Sequence, residues 1–148
     1  MSTLLDPGDR ERLLARVCAL TPDAPARWGR MNAPKMLAHL GDQMRHALGD
    51  APTAAQRGPL RLPLIKHVVM YWLPWPKGRI KGPPEAFLTQ PTTWEADVAT
   101  LIGLMDRLVA DHDRETWPDH AVFGAMSRQS WGRFSHRHFD HHLRQFGV

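Results

Sequence analysis

Eight of the thirteen prolines lie between residues 51 and 91, and they decide what this chain can fold into. Proline lacks a backbone donor and fixes φ, so neither a long helix nor a central strand can run through that stretch. Regular structure must come from the segments on either side. There the apolar residues recur at helical intervals, and nowhere do they alternate as in a half-buried strand. The first pattern opens at Asp6-Pro7, a capping residue with proline in the first turn. It carries Leu13, Leu14, Val17 and Leu20 and stops before Pro22. The second opens at Asn32, with Pro34 in its first turn, and runs to about Gly49. The third sets Thr92 and Glu95 at capping-box spacing and repeats Trp94, Val98, Leu101, Ile102, Met105, Leu108 and Val109. The fourth runs from about Ser127 to about Phe146. Within the proline-rich connection, "LPLIKHVVMYWL" has room for one short helix. The expectation is a single all-α domain over residues 1–148, a four-helix bundle with a short extra helix between the second and third long ones.

Several function classes are disfavoured at once. No stretch approaches the roughly 18 apolar residues needed to cross a bilayer. The opening residues show neither the basic lead nor the apolar core of a secretion signal, so a cytoplasmic protein without membrane contact is expected. The single cysteine, Cys18, can form no internal disulfide and no thiolate cage, and it is expected as a packed small hydrophobe. The net charge of +4 invites nucleic acid as a partner. The cations, however, are interspersed with Asp9, Glu11, Asp23, Asp42 and Asp50, and only "PKGRIKG" is locally basic. Nucleic acid is therefore not an expected partner.

Four of the nine histidines crowd into His136–His142, in "HRHFDHH". At about 100° per residue on a helix, His142 falls about 40° from His138, in the arc that also holds Trp131 and Phe134. His136 falls on the polar arc and His141 at the border. Buried imidazoles without partners are costly. A pair at i and i+4 is also how a helix presents two nitrogens to one ion. The spacing alone leaves two readings open, a metal site or a pair of hydrogen-bonded core histidines. His39, in "MLAHLGDQMRH", sits at the edge of an apolar stripe, which suits a ligand at a pocket rim and equally an exposed histidine. Gln43 and His46 share its side and would line the mouth of a cavity. Asp42, one turn on, is either an orienting carboxylate or proton acceptor, or a solvated surface group. Trp131 and Phe134 either wall the pocket or simply pack in the core. His67 and His120 carry no assigned role.

With "MLAHLGD" early and "HFDHHLRQ" late, and with "RWGRMNAPKMLAHLGDQ", "PWPKG" and the closing "HRHFDHHLRQFGV" around them, the chain resembles the DinB/YfiT-like superfamily of metal-dependent bundles. The resemblance covers nearly the whole length and is nearest to an uncharacterised branch. It implies an open three-histidine site, with one ligand from the second long helix and two from the fourth. By position these are His39, His138 and His142, and a fourth-helix glutamine corresponds to Gln145. The superfamily's usual "HRGQ" ending reads His142-Leu143-Arg144-Gln145 here, which puts the packing of the tail and any role for a basic residue there in doubt. His141 is an alternative second ligand at i,i+3.

Three neutral imidazoles leave a divalent ion its charge and an open position, as catalytic sites do. Zinc and nickel are expected first, with iron and manganese admissible for nitrogen ligands. The resemblance implies an enzyme acting on a small molecule, such as a transferase using a low-molecular-weight thiol, or a related isomerase or hydrolase, and it implies pairing into homodimers. For such chemistry Asp42 and His46 are the candidate catalytic groups, and Gln43, Trp131 and Gln145 the candidate pocket residues. A non-catalytic, stress-related bundle binding metal or a small ligand is the alternative.

Overall fold

In a computed structural model the described residues are 1–51, 53–78 and 84–148. Among them are five α-helices and no strand, only an isolated bridge between His120 and Gly124. The helices are α1 (Pro7–Cys18), α2 (Ala33–Leu48), α3 (Pro63–Tyr71), α4 (Trp94–Ala110) and α5 (Arg128–Gln145). No helix of the described residues is long and apolar enough to cross a membrane. Part of the basic "PKGRIKG" segment, Arg79 to Gly82, lies outside the described residues.

The helix starts follow from local chemistry. The Asp6, Asn32 and Ser127 side chains accept from the backbone amides of Asp9, Lys35 and Ser130, satisfying donors that a first helical turn leaves free. The start of α4 differs by one residue from the expected capping box. Thr93 is the cap, and Thr92 instead gives its backbone amide and hydroxyl to the Asp97 carboxylate at 3.0 and 2.7 Å. The prolines of the connection do more than break helix. Pro59, Pro63 and Pro84 each stand first in a short helical element, where their missing amide costs nothing.

Packing makes α2 the central helix: twelve of its sixteen residues are buried. It lies against both α4 and α5, while α1 lies against α5 and α4, so the four long helices close a ring. Leu13, Val17, Met36, Leu40, Met105 and Phe139 fill the ring almost without exposure. The short α3 sits outside against α5 and buries only Met70. Cys18 is exposed, not packed. The buried stripe of α1 is confined to Leu13 and Val17, and Cys18 turns about 100° past Val17.

The residues before α1 also belong to the core. Leu4 is fully buried and its amide donates to the Gly132 carbonyl of α5 at 3.1 Å. A side chain at Gly132 would stand 2.6 Å from the Thr3 hydroxyl and 2.7 Å from Leu5. Only glycine lets the first residues lie this close across α5, beneath the helix that carries the histidines.

Candidate metal centre

His39 of α2 and His138 and His142 of α5 meet in one place. Their candidate ligand nitrogens all lie within 4.8 Å of one another. The Nε2 atoms of His39 and His142 are 3.1 and 3.0 Å from Nε2 of His138. His39 and His142 are buried. His138 is half-buried by surface, and what it exposes faces a cavity of about 940 Å³ that all three rings line.

Where the protons sit follows from the hydrogen-bond network. His39 Nδ1 is 2.7 Å from the Ala86 carbonyl. A carbonyl only accepts, so Nδ1 carries the hydrogen and Nε2 is a bare lone pair. Gln145 donates its amide nitrogen to the Trp28 carbonyl at 2.7 Å, which turns its Oε1 toward His142 Nδ1, 2.8 Å away. His142 Nδ1 therefore donates, and its Nε2 is bare as well. Two lone pairs thus face His138 Nε2, while His138 Nδ1 is buried with no partner. His138 has one proton to place. On Nε2 it serves one neighbour well and leaves the other lone pair opposed; on Nδ1 it is an orphan donor and three lone pairs converge.

No second proton bridges the gap. Burial, then the neighbouring imidazoles, hold His138 well below the ordinary histidine value. Burial, with His39 next, pushes His142 down to about 3. Burial also lowers His39, against the opposing pull of its bond to Ala86 and of Asp42. The cluster is three neutral rings with more acceptors than donors, and those residues could hold a cation.

The surroundings hold the rings by main-chain groups as much as by side chains. Phe87 stacks on His39 at 4.6 Å and 11°. Asp42 is neither solvated nor hydrogen-bonded to His39, whose ring nitrogens face Ala86 and His138. It is buried and accepts from the Thr89 amide at 3.0 Å, the Thr89 hydroxyl, and Arg45 at 3.2 Å. It anchors the very segment whose Ala86 carbonyl orients His39. The His46 nitrogens face the carbonyls of Ala51 and Glu85 at 2.8 and 3.1 Å, so the ring ties two loops to α2 although it also lines the cavity. Gln43 gives its amide nitrogen to Ser135 at 3.0 Å. Its Oε1 is buried without a partner in a residue that lines the cavity.

Trp131 lines the cavity and is also core. It is 1% exposed and gives its indole N–H to the Pro118 carbonyl at 2.9 Å. Phe134 is likewise both wall and core. His141 does not join the cluster. It sits edge-on to Trp28 and tilted to Trp75, at 6.0 and 5.9 Å. His136 is half-buried rather than solvated, and His67 packs against Tyr71. Trp75 of "PWPKG" leans on both His138 and His141, which places that motif at the site.

Sequence reasoning passed over Ala86, Phe87, Thr89 and His120. The first and third act through backbone or through a bond spanning 47 residues, and no periodicity signals that. His120 gave no sequence signal either, because its Nδ1 is held by the backbone amides of Val122 and Phe123.

His120 also makes acid stability predictable. Burial, and the positive charges of His46 and Lys66, push its pKa down to about 4 from an ordinary 6.5. The unfolded chain thus binds the proton more tightly than the folded one. Its contribution is complete above pH 6.5 and is lost as pH falls toward 4, about 3 kcal/mol in all. Urea unfolding in chelator, from pH 7 to 4.5, should show that decline and a flatter profile for His120→Phe. A His120→Phe profile as steep as wild type would refute the assignment.

The profile of one family, described as a protein of unknown function (DUF1569), matches residues 5–147. No curated protein and no solved structure matches the chain.

Proposed function

Given that the chain belongs to the DUF1569 family, whose description carries no activity, we propose that His39, His138 and His142 bind one divalent metal ion, and that the protein is a DinB-like metal-dependent bundle acting on a small molecule. The observation that carries this reading is the unbalanced proton count: two bare lone pairs aimed at His138 Nε2, in a place where burial disfavours an imidazolium. A cation satisfies all three acceptors at once. The spacing supports it. Two nitrogens about 2.05 Å from zinc at a tetrahedral angle lie about 3.3 Å apart, within a few tenths of an ångström of the two separations from His138 Nε2. The orienting bonds to Ala86 and Gln145 are of the kind that fix the tautomer of a ligating histidine.

When bound, a divalent ion on neutral imidazoles lowers the pKa of a water or thiol and polarises a carbonyl. The chain's own residues do the rest. Trp75, Phe87 and Phe134 exclude water around the rings and offer an apolar wall to a substrate. The two candidate catalytic groups are committed elsewhere, Asp42 to Thr89 and Arg45 and His46 to two carbonyls. Among the described residues no carboxylate lines the cavity. Hydrolysis driven by a carboxylate general base thus has no support among the described residues, and transfer to or from a small thiol is the reading that the family resemblance implies.

Those same commitments also favour a second reading, in which the ion only fastens α2 to α5, adding its binding energy to the folded state. The test begins with tag-free protein, stripped by chelator and dialysed. One Zn²⁺ or Ni²⁺ per chain should be taken up, with a rise in melting temperature; no uptake would end the metal reading. Water relaxation on the Mn²⁺-loaded protein separates the two: an exchanging water supports a reactive centre, and its absence supports the fastener.

A further inference from the structure

His120 stands outside the histidine cluster, and its ring is locked. The turn from His120 to Gly124 is closed by paired backbone bonds, His120 N–H to the Gly124 carbonyl and Gly124 N–H to the His120 carbonyl, both 2.8 Å. Gly124 holds φ at +69°, and a side chain there would also press within 3.0 to 3.1 Å of the Arg61 guanidinium. Inside the turn, His120 Nδ1 faces the amides of Val122 and Phe123 at 3.1 and 3.3 Å. Amides only donate, so Nδ1 is bare and the hydrogen must be on Nε2. Phe123, Trp131 and Phe134 hem the ring at 4.9, 5.5 and 4.7 Å. Among the described residues Nε2 has no protein acceptor. The ring lines the cavity shared with the metal centre, and Phe134 touches both His120 and His138.

We propose that His120 is a fixed hydrogen-bond donor of the ligand site, and that the cavity's ligand is an apolar molecule, neutral or anionic, carrying an acceptor oxygen such as a carbonyl on the far side of Phe134 from the end that approaches the three histidines. The proposal rests on reading the cavity as the substrate site. The walls fit that chemistry: Val69, Trp75, Phe123 and Phe134 offer apolar surface, and among the described residues no carboxylate lines the cavity and Arg30 is the one lysine or arginine that does. A cationic ligand would find no carboxylate there among the described residues. The low basicity of the buried ring keeps it a neutral donor through the physiological range. Donors of this kind discriminate because an analogue without the acceptor displaces water from the N–H and leaves it unpaired.

The experiment compares two probes of similar shape, acetophenone and ethylbenzene, by NMR titration of the folded protein in chelator and again with Zn²⁺ loaded. Wild type should prefer acetophenone by about fivefold, and His120→Phe should erase the preference while still binding ethylbenzene. Histidine ¹⁵N spectra of wild type make the result independent of how the variant folds: His120 should show Nε2 protonated and Nδ1 bare, with the Nε2–H signal moving on adding acetophenone and not ethylbenzene. Equal affinities in wild type, failure of both probes to bind, or the opposite tautomer would each overturn the proposal. A preference that persists in chelator upholds it even where no metal is taken up, so its fate and that of the metal reading can be told apart.

Discussion

His138→Ala loses the ion and keeps the fold. His138 Nε2 is the one atom within 3.1 Å of both other ligand nitrogens, so truncation leaves two imidazoles on different helices with nothing between them. Removing an orienting partner of a ligand typically costs 10–100-fold in affinity, and removing the central ligand should exceed that, at least about 100-fold. The stability result should run the other way. Without metal, wild type holds opposed lone pairs and a buried, unpartnered Nδ1. An unsatisfied buried polar atom costs on the order of 1–3 kcal/mol, so the variant recovers about what the new void costs. Its metal-free melting temperature should stay within about 4 °C of wild type, while the rise that Zn²⁺ gives wild type vanishes. Competition against a chelating dye reads the first quantity and calorimetry the second. Undiminished Zn²⁺ affinity in this variant would end the three-histidine reading.

The second large effect lies in a residue that never touches the cluster. Asp42→Ala removes the acceptor for the Thr89 amide and hydroxyl and for Arg45. Arg45 still reaches the Thr89 hydroxyl, but the Thr89 amide is left partly buried and unpaired, a loss of about 1–3 kcal/mol. The 84–89 segment then loosens, and with it the Ala86 carbonyl that fixes the tautomer of His39. Metal affinity should fall 10–100-fold. Asp42→Asn retains an acceptor for the Thr89 amide and should keep most of both. If Asp42→Ala binds metal as wild type does while losing stability, Ala86 is held by its other contacts and the proposed link from Asp42 to His39 fails.

The two α5 histidines were legible because a helix is periodic. The positions of Trp131, Phe134, His138 and His142 on one arc require only the chain's own geometry, and the structure puts them there. His39 was less so. Its position at the edge of a stripe is compatible with exposure, and only the folded ring of helices, with α2 between α4 and α5, buries it. The Asp42 alternatives were framed around the helix that carries it, whereas the partner that captures it is Thr89, beyond the proline-rich connection. Cys18 and the Thr92 cap each missed by one residue's rotation or register, the scale at which a helical pattern loses its resolution. His120 was hidden for another reason: its determinants are two backbone amides, and sequence names side chains.

The bond from Ala86 to His39 has a consequence for how this pocket can change. The orienting atom is a peptide oxygen, which every residue possesses, while Ala86 as a residue also lines the cavity. Position 86 can therefore drift through valine, serine or larger residues, recontouring the chamber for different guests, with the coordinating ring still pinned in place. Selectivity and coordination are uncoupled at that residue, and its identity across relatives should track what each one holds rather than whether it holds a metal.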